Sequence, residues 1–317
     1  MHAPNQRERD EATYRMAASL ERAGDYEAAA AAYRTLARGR GARAARATFA
    51  LADLELARGD PGGSATLLRA AILRFPNFGP ARGAAARLLK YIEKEQGQNA
   101  ALAETERLAR RLAASELAQF LEFERARRVQ RAGHLSDART LYLELARRYP
   151  YPRGVYWDDS LLAASRIDIH LGAYGAALAH LEALLAQRER ARVSGSYERP
   201  AFAESRFLLG ELHRDHLGDL GRARAEFRRV FEDHPSSRLG DDALFEEILI
   251  ARRQQDYAGA CEVARMLYRS RRESRFSACL PLLCSELSDT TGTCPTYLKR
   301  AIDRAAAPPQ DYSSSSR

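Results

Sequence analysis

Two histidines lie three residues apart in the segment HRDH, residues 213–216. On a helix, His213 and His216 would lie on the same face, where two imidazoles can bind a zinc ion. A zinc site needs at least three protein ligands, and no third ligand stands at a suitable spacing in the sequence. We therefore expect two exposed surface histidines and no metal site.

The cysteines stand near the C-terminal end of the chain, and their chemistry depends on the compartment. They are Cys261, Cys279, Cys284 and Cys294. Their spacing is a poor match to a zinc site, which prefers pairs separated by two to four residues. Two disulfides would need an oxidising compartment, whereas in the cytosol the thiols would be reduced and mostly buried. The sequence leaves both states open; if disulfides form, Cys284 and Cys294 are the first expected pair.

The usual signatures of catalysis are absent from the sequence. It contains no nucleophile elbow, no Walker loop, no H-E-x-x-H segment and no dinucleotide-binding glycine pattern. We therefore predict no catalytic residues, no cofactor and no enzymatic activity.

Arginine provides almost all of the positive charge, because the only lysines are Lys90, Lys94 and Lys299. The formal net charge is +8. Most arginine clusters stand at the ends of predicted helices, where cations interact favourably with the helix dipole and the last carbonyl groups. The clusters are residues 38–46, 125–131, 147–150, 188–192 and 269–275. The alternative is that several line a groove and hold an acidic ligand; nucleic acid is less favoured because no aromatic side chains are interleaved with them.

The elements that would position any site are helices in a repeated arrangement. A glycine recurs at intervals of 35 to 46 residues, and a glutamine occupies the last place. These anchors are Gly24, Gly59, Gly97, Gly133, Gly172, Gly218 and Gln255. In most units a small residue follows five places after the anchor and a larger apolar residue follows nine places after it. Twelve places after it every unit has an apolar residue, which is Ala109 in the third unit, and all three offsets lie on one helical face. Such periods predict a solenoid of paired helices.

Prolines mark where the second helix of a pair ends, because proline lacks the N–H group and clashes with the preceding turn. They are Pro76, Pro150 and Pro235. One unit is therefore a helix, a tight turn at the anchor, a second helix and a stop.

Four segments resemble tetratricopeptide repeats. They are GDYEAAAAAYRTLA (24–37), GDPGGSATLLRAAILRFP (59–76), GHLSDARTLYLELARRYP (133–150) and GDLGRARAEFRRVFEDHP (218–235). The unit after Gly97 departs from the pattern at Leu102 and Glu106. The resemblance covers roughly residues 10–270 and implies an all-α, right-handed superhelical solenoid of about seven helix pairs with a C-terminal capping segment.

A second resemblance rests on paired aspartates. The segments 148–167 and 233–252 share a proline, a short polar stretch, two aspartates and an apolar helix. The pairs Asp158 and Asp159, and Asp241 and Asp242, stand where a carboxylate can cap a helix N-terminus. This pattern is similar to that of repeat proteins of the bacterial envelope, including those that assist outer-membrane protein assembly. The resemblance implies an envelope-biogenesis factor as an alternative function.

The chain divides by composition into four parts. We predict a flexible N-terminus at 1–9, the repeat array at 10–268, a helical cap with the cysteines at 269–306 and a disordered tail at 307–317. No apolar run reaches the roughly 18 residues that a membrane span needs. The charged N-terminus lacks the pattern of a signal peptide, so we expect a cytoplasmic protein, with the periplasm as the alternative if a leader has been removed.

The tetratricopeptide resemblance implies a non-enzymatic scaffold that binds a peptide or helix of a partner protein in a concave groove. The lysines and asparagines with which some family members grip a C-terminal carboxylate are nearly absent here. The family's geometry places eight residues on the groove side of the fourth and fifth units. They are Phe120, Phe123, Arg127, Gln130, Leu162, Arg166, Ile169 and His170. Core packing is the alternative for the apolar members, and a basic nucleic-acid-binding repeat protein is the alternative function.

Overall fold

The computed structural model describes residues 5–187, 199–287 and 292–306. These residues form fifteen α-helices and two short 3₁₀ helices, with no β-strand among them. They divide into two compact units, the first comprising residues 5–150 and 154–156 and the second residues 151–153, 157–187, 199–287 and 292–306. The predicted tail at 307–317 and the arginine cluster at 188–192 lie outside the described residues.

The first unit contains four helix pairs in which each helix packs against the next along the chain. Its helices are α1 (Gln6–Arg22), α2 (Tyr26–Ala37), α3 (Gly41–Ala57), α4 (Pro61–Arg74), α5 (Ala81–Gln96), α6 (Gln98–Arg111), α7 (Ala118–Arg131) and α8 (Leu135–Arg148). Helix α1 begins behind a capping box of Asn5 and Glu8, so residues 6–9, expected to be flexible, are helical.

The second unit contains three further pairs and a terminal helix. Its helices are α9 (Trp157–His170), α10 (Tyr174–Leu185), α11 (Pro200–Asp215), α12 (Leu220–Asp233), α13 (Gly240–Arg253), α14 (Tyr257–Ser270) and α15 (Thr296–Ala306), with the 3₁₀ helices Ser277–Leu282 and Ser285–Leu287 before the last. The seven predicted pairs are thus confirmed. In the described part of the chain, no helix is both long and apolar enough to cross a bilayer.

Each pair turns on a residue in the left-handed backbone region. All six predicted glycines have φ between 68° and 88°, and Gln255 has φ 61°. The next residue, an aspartate in four turns, caps the second helix by accepting a hydrogen bond from a backbone N–H three residues later. Glycine and aspartate together therefore specify the turn: the first reverses the chain and the second starts the new helix.

The predicted apolar face of the second helix forms the core between the helices. The small residues five places after the anchor are all buried: Ala29, Ser64, Ala138, Ala177, Ala223 and Ala260. The larger residues nine places after it are also buried: Tyr33, Leu68, Tyr142, Leu181 and Phe227. Burial of this face holds each pair together, since removal of apolar area from water is the main stabilising term.

The third pair is displaced by one residue. Helix α6 begins at Gln98, directly after the anchor Gly97, without the intervening cap found in the other turns. The buried row therefore stands four, eight and eleven places after the anchor, at Ala101, Thr105 and Leu108, and Glu104 beside it is buried as well. Leu102 and Glu106, which break the repeat pattern, and Ala109, which the pattern places in the apolar row, are half-buried. One missing turn residue explains the irregular sequence of this unit.

The paired aspartates lie in the first turns of α9 and α13, as predicted. Their carboxylates also reach the segment that follows the same helix pair: Asp158 binds Arg199, just before α11, and Asp242 binds Arg275, after α14. The Asp241 carboxylate accepts a hydrogen bond of 2.7 Å from the Ser274 hydroxyl. These aspartates therefore lie at a helix start and also tie each helix pair to the segment that follows it.

Arginines join neighbouring helix pairs in both compact units. Their carboxylate partners lie 31 to 38 residues away, about one repeat: Arg58 with Glu27, Arg69 with Glu104, Arg87 with Asp53, Arg131 with Glu93, Arg166 with Glu204, Arg214 with Glu246 and Arg224 with Asp256. Arg74 instead donates to the carbonyl oxygens of Ala37 and Gly39. Much of the arginine content is thus used within the fold.

The C-terminal segment covers the end of the second unit. Leu298 and Ile302 of α15 pack with Phe245 and Ile248 of α13 in one buried cluster. Two disulfides involve this segment: one joins Cys261 of α14 to Cys284, and the other joins Cys279 to Cys294. The expected pairing of Cys284 with Cys294 is wrong, because folding of the 3₁₀ segment brings Cys284 beside α14 and leaves Cys294 next to Cys279.

Candidate partner-binding groove in the second unit

A groove of about 760 Å³ lies in the second unit between α9, α11 and the segment that precedes α13. We call it the α11 groove. The lining residues are Arg166, Arg199, Pro200, Ala203, Glu204, Phe207, Leu208, Glu211, Ser236, Ser237, Arg238 and Leu239. Half of them belong to α11, which therefore forms one long wall.

Local sequence rules place the walls of the α11 groove. Pro200 starts α11, a position that suits its fixed φ and its missing N–H. At the other side, α12 ends at Asp233 before Pro235, and residues 236–239 lead into α13 at Gly240. The short connection brings Arg238 and Leu239 opposite the exposed side of α11.

Apolar residues form the floor. Ala203 is buried, while Phe207, Leu208 and Leu239 are half-buried. The Phe207 ring meets the ring of Phe227 edge to face at 5.0 Å, which fixes its orientation against the core. The floor is therefore rigid but leaves apolar surface open to the groove.

Ion pairs flank one end of the groove. The Arg166 guanidinium of α9 donates to the Glu204 carboxylate of α11 at 2.8 Å, and both side chains are exposed. Arg199 binds Asp158, which is almost fully buried, and lies over the Tyr151 ring. Burial raises the pKa of the Asp158 carboxyl to about 6, although Arg199 acts in the opposite direction. These two pairs leave little free charge at this end.

At the other end, Glu211 of the groove lining neighbours a cluster of charged side chains on α11 and α13. Arg214 donates to Asp215 at 2.7 Å and to Glu246, so its hydrogen bonds go to these two carboxylates. Glu211, three residues before Arg214, is half-buried and has no direct hydrogen bond or ion pair with any residue that the structure describes. Burial raises the pKa of Glu211 and of Glu246, whereas the Arg214 hydrogen bonds lower the pKa of Asp215.

One cation of the groove also lacks a partner. Arg238 is exposed, and its guanidinium has no carboxylate or carbonyl partner within the described ranges. The α11 groove therefore combines an apolar floor with one unpaired acid and one unpaired base. This combination can bind a polypeptide segment through both apolar and charged side chains.

The predicted groove residues of α7 lie in the first unit, and most of them serve its packing. Phe120 is buried, and Phe123 stacks on Tyr156 at 4.7 Å between ring centroids. The Gln130 side chain accepts a hydrogen bond from the Tyr142 hydroxyl. Arg127 is the one exposed member of this set, and it pairs with Glu124. For the two phenylalanines, packing accounts for the pattern.

The predicted residues of α9 lie in the second unit. Leu162 is only 3% exposed, so its side chain offers no binding surface. Arg166 lines the α11 groove, Ile169 is half-buried and His170 is exposed at the end of the helix. Arg166 is thus the one predicted residue that the structure brings into this groove.

Sequence reasoning missed the wall that α11 provides. Glu204, Phe207, Leu208 and Glu211 recur at spacings of three and four residues, which place them on one helical face. The same spacing rule that selects groove residues in the fourth and fifth pairs applies to α11, because α11 is the first helix of the sixth pair. The prediction was limited to the fourth and fifth pairs and therefore left α11 out.

The two histidines near the end of α11 lie in different surroundings. His213 is buried, contrary to the expected exposure, because the residue faces α12. His216 ends the helix and stacks on the Tyr174 ring at 4.3 Å. In the described part of the chain, the one group with metal-binding geometry is Cys261, Cys284 and Glu286, and its two cysteines are joined in a disulfide.

Comparison with known proteins identifies the repeat. The pattern of the Tetratricopeptide repeat family matches residues 14–80 and 217–275. These segments include the turns at Gly24 and Gly59 in the first compact unit and at Gly218 and Gln255 in the second. No curated protein matches the sequence.

Solved structures share the fold at low sequence identity. The apo form of RapI is 12% identical, with a TM-score of 0.56 over 94% of this chain and 86% of its own. BtubC from P. vanneervenii is 18% identical, with a TM-score of 0.50 over 71% of this chain and 92% of its own. A tetratricopeptide repeat protein from Parabacteroides merdae is 12% identical, with a TM-score of 0.44 over 84% of this chain and all of its own. At these identities the first two comparisons establish the fold alone.

Proposed function

Because the chain is a tetratricopeptide repeat protein, we propose that it is a non-enzymatic scaffold that binds a segment of a partner protein in the α11 groove. Proteins of this family are in general scaffolds for protein contacts without catalytic activity, and the fold supports an interaction role. The family leaves the location of the contact open, and we assign it to the second unit.

One observation supports this location. The α11 groove has about 760 Å³ of space over an apolar floor, and two of its charged residues, Glu211 and Arg238, are unpaired. Elsewhere many arginines pair with carboxylates of neighbouring helix pairs. A surface that retains both apolar area and unsatisfied charge is a better binding site than one whose charges are already compensated.

Site-specific photo-crosslinking tests the proposal. A photoreactive amino acid replaces Leu208 in the groove, and a control protein carries it at Leu217, an exposed leucine outside the groove. Both proteins are expressed in the source organism and irradiated. We expect a discrete crosslinked protein with the probe at position 208 and none with the probe at position 217.

Binding of the purified partner then completes the test. Leu208→Asp should abolish binding, because it introduces a charge into the apolar floor, whereas Leu217→Asp should leave the dissociation constant within about twofold of wild type. Equal crosslinking from both positions, or full binding by the Leu208→Asp protein, would refute the assignment to this groove.

A nucleic-acid-binding role is the rival from another class. Ion pairing of the arginines within the fold argues against it, since a guanidinium held by a carboxylate contributes little to phosphate binding. The discriminating measurement is the affinity for random RNA and DNA over a range of salt concentrations, which falls steeply when several phosphates are neutralised. Micromolar binding at physiological salt would support the rival.

The two disulfides bear on where the scaffold works. They favour an oxidising compartment, such as the bacterial envelope, over the cytoplasm expected from the N-terminal sequence. We infer that the chain acts in such a compartment, and the state of its thiols, discussed below, tests this inference.

A further inference from the structure

We propose that the α11 groove selects partner segments that carry a lysine or arginine, and that Glu211 receives the cationic head of that side chain. The inference rests on the proposed function, because it names the chemistry of the segment that the same groove would bind. A preference for basic segments is the opposite of what the positive net charge of the whole chain suggests, since that charge favours acidic partners.

The unpaired carboxylate of Glu211 supports a cationic ligand. The charged groups that act on it are the carboxylates of Glu246 and Asp215 and the guanidiniums of Arg214 and Arg166, two of each sign. The uncompensated charge at this position is therefore the Glu211 carboxylate itself, while the unpaired Arg238 belongs to the segment before α13. A cation that reaches Glu211 therefore meets an attractive interaction.

Hydrogen bonding isolates Glu211 within that cluster. Arg214 donates to Asp215 and Glu246, and Arg166 donates to Glu204, so neither arginine bonds directly to Glu211. A half-buried carboxylate without a donor is destabilised relative to one in water. This burial is also the main reason that the pKa of Glu211 is raised. A hydrogen-bond donor from a ligand would offset this cost of burying the Glu211 carboxylate.

The shape of the wall fits a long side chain with a charged end. Phe207 and Leu208 precede Glu211 by four and three residues on α11, so an apolar surface leads along the helix to the carboxylate. The methylene stem of a lysine or arginine can cover that surface while its head reaches the acid. A purely apolar side chain would fill the floor but leave Glu211 unpaired.

The test uses the full chain and a random peptide library displayed on phage. Peptides are selected on the immobilised protein, and those that fail to bind the Leu208→Asp protein are kept as groove binders. We expect lysine and arginine to be enriched in them relative to the unselected library. A selected peptide is then synthesised with its lysine and, separately, with norleucine, which keeps the stem and removes the charge.

The Glu211→Gln protein provides the decisive comparison. Its dissociation constant for the lysine peptide should rise about tenfold, while the norleucine peptide should bind both proteins equally, because the lost interaction requires both charges. Glu232→Gln, an exposed glutamate of α12 outside the groove, is the matched control and should change nothing. Circular dichroism confirms that each variant is folded.

The outcomes separate this inference from the proposed function. Groove binders without basic enrichment, or a Glu211→Gln protein that binds the lysine peptide as wild type does, would overturn the inference and leave the groove assignment intact. Failure to select any peptide that depends on Leu208 would count against both.

Discussion

Gly210 of α11 faces the ring of Phe227 of α12 so closely that a Cβ atom at position 210 would lie 2.9 Å from Cε1 and 3.0 Å from Cζ of that ring. Phe227 is completely buried between the helices, and the Phe207 ring and the Arg214 guanidinium also pack on it. The ring therefore has little room to move aside. The absence of a side chain at Gly210 sets the distance between the two helices.

Gly210→Ala should destabilise the protein. Overpacking of a buried contact costs about 1–3 kcal/mol, which exceeds the gain of up to ~1 kcal/mol from the higher helix propensity of alanine. Urea denaturation followed by circular dichroism measures the difference. The control is Gly175→Ala, at an exposed position of α10 where a Cβ atom meets nothing within 4 Å. That variant should be at least as stable as wild type, and equal behaviour of the two variants would disprove the close contact.

Gln255→Gly should stabilise the protein. Gln255 is the one non-glycine residue with positive φ among those described, and it holds the turn that glycine occupies in the other pairs. Replacement by glycine removes a strain of about 1 kcal/mol from the left-handed backbone. The net gain is smaller, because glycine also raises the entropy of the unfolded chain. The measurement is the midpoint of thermal unfolding. Gln254→Gly, at the adjacent residue with φ −84°, is the control and should bring no gain.

Ala223→Asp should cost several kcal/mol, because it buries an unpaired charge at the contact between α11 and α12. Ala223 is fully buried, while Ala225 on the same helix is exposed. Ala225→Asp therefore controls for the change in charge and helix propensity and should alter the free energy of unfolding by less than about 0.5 kcal/mol. A similar effect of both substitutions would contradict the helix packing.

The isolated, unreduced protein should contain no free thiol among its four cysteines. Alkylation after unfolding without reductant should modify none of the four cysteines, and peptide mapping should recover Cys261 with Cys284 and Cys279 with Cys294. The linked residues are 23 and 15 positions apart, so each closed loop should stabilise the fold by about 3 kcal/mol in the chain-entropy description. A reductant should therefore lower the thermal midpoint. Four alkylated cysteines would restore the cytoplasmic expectation.

Asp158 should make stability depend on pH. Its pKa is raised from 3.8 to about 6 by burial, so the folded state prefers the protonated carboxyl. The resulting stability is fully present below pH 4 and is lost as the pH rises through 6, by about 3 kcal/mol. The measured quantity is the free energy of unfolding of wild type minus that of Asp158→Asn, which removes the titration. This difference should fall between pH 4 and pH 7, and a constant difference would show that Arg199 keeps the carboxyl ionised.

The sequence predicts part of the wall of the α11 groove. A spacing of three and four residues fixes which side chains share a helix face, and Arg166 of the predicted set lies in the lining of this groove. Leu162 has the same spacing but is buried, since periodicity gives the face of a helix and not the depth to which its neighbours cover it. Glu211 and Arg238 come together only through the folding of different elements.

The sequence by itself determined the seven helix pairs and their turns, and the buried face of every pair but the third, because each depends on residues within about a dozen positions. Glycine accepts the left-handed turn, aspartate caps the next helix, and apolar residues at fixed offsets bury one face. The tertiary structure decided which arginine meets which carboxylate, which cysteines join and which groove stays open. These contacts link residues up to about forty positions apart, so they depend on how whole helices pack, which no local pattern specifies.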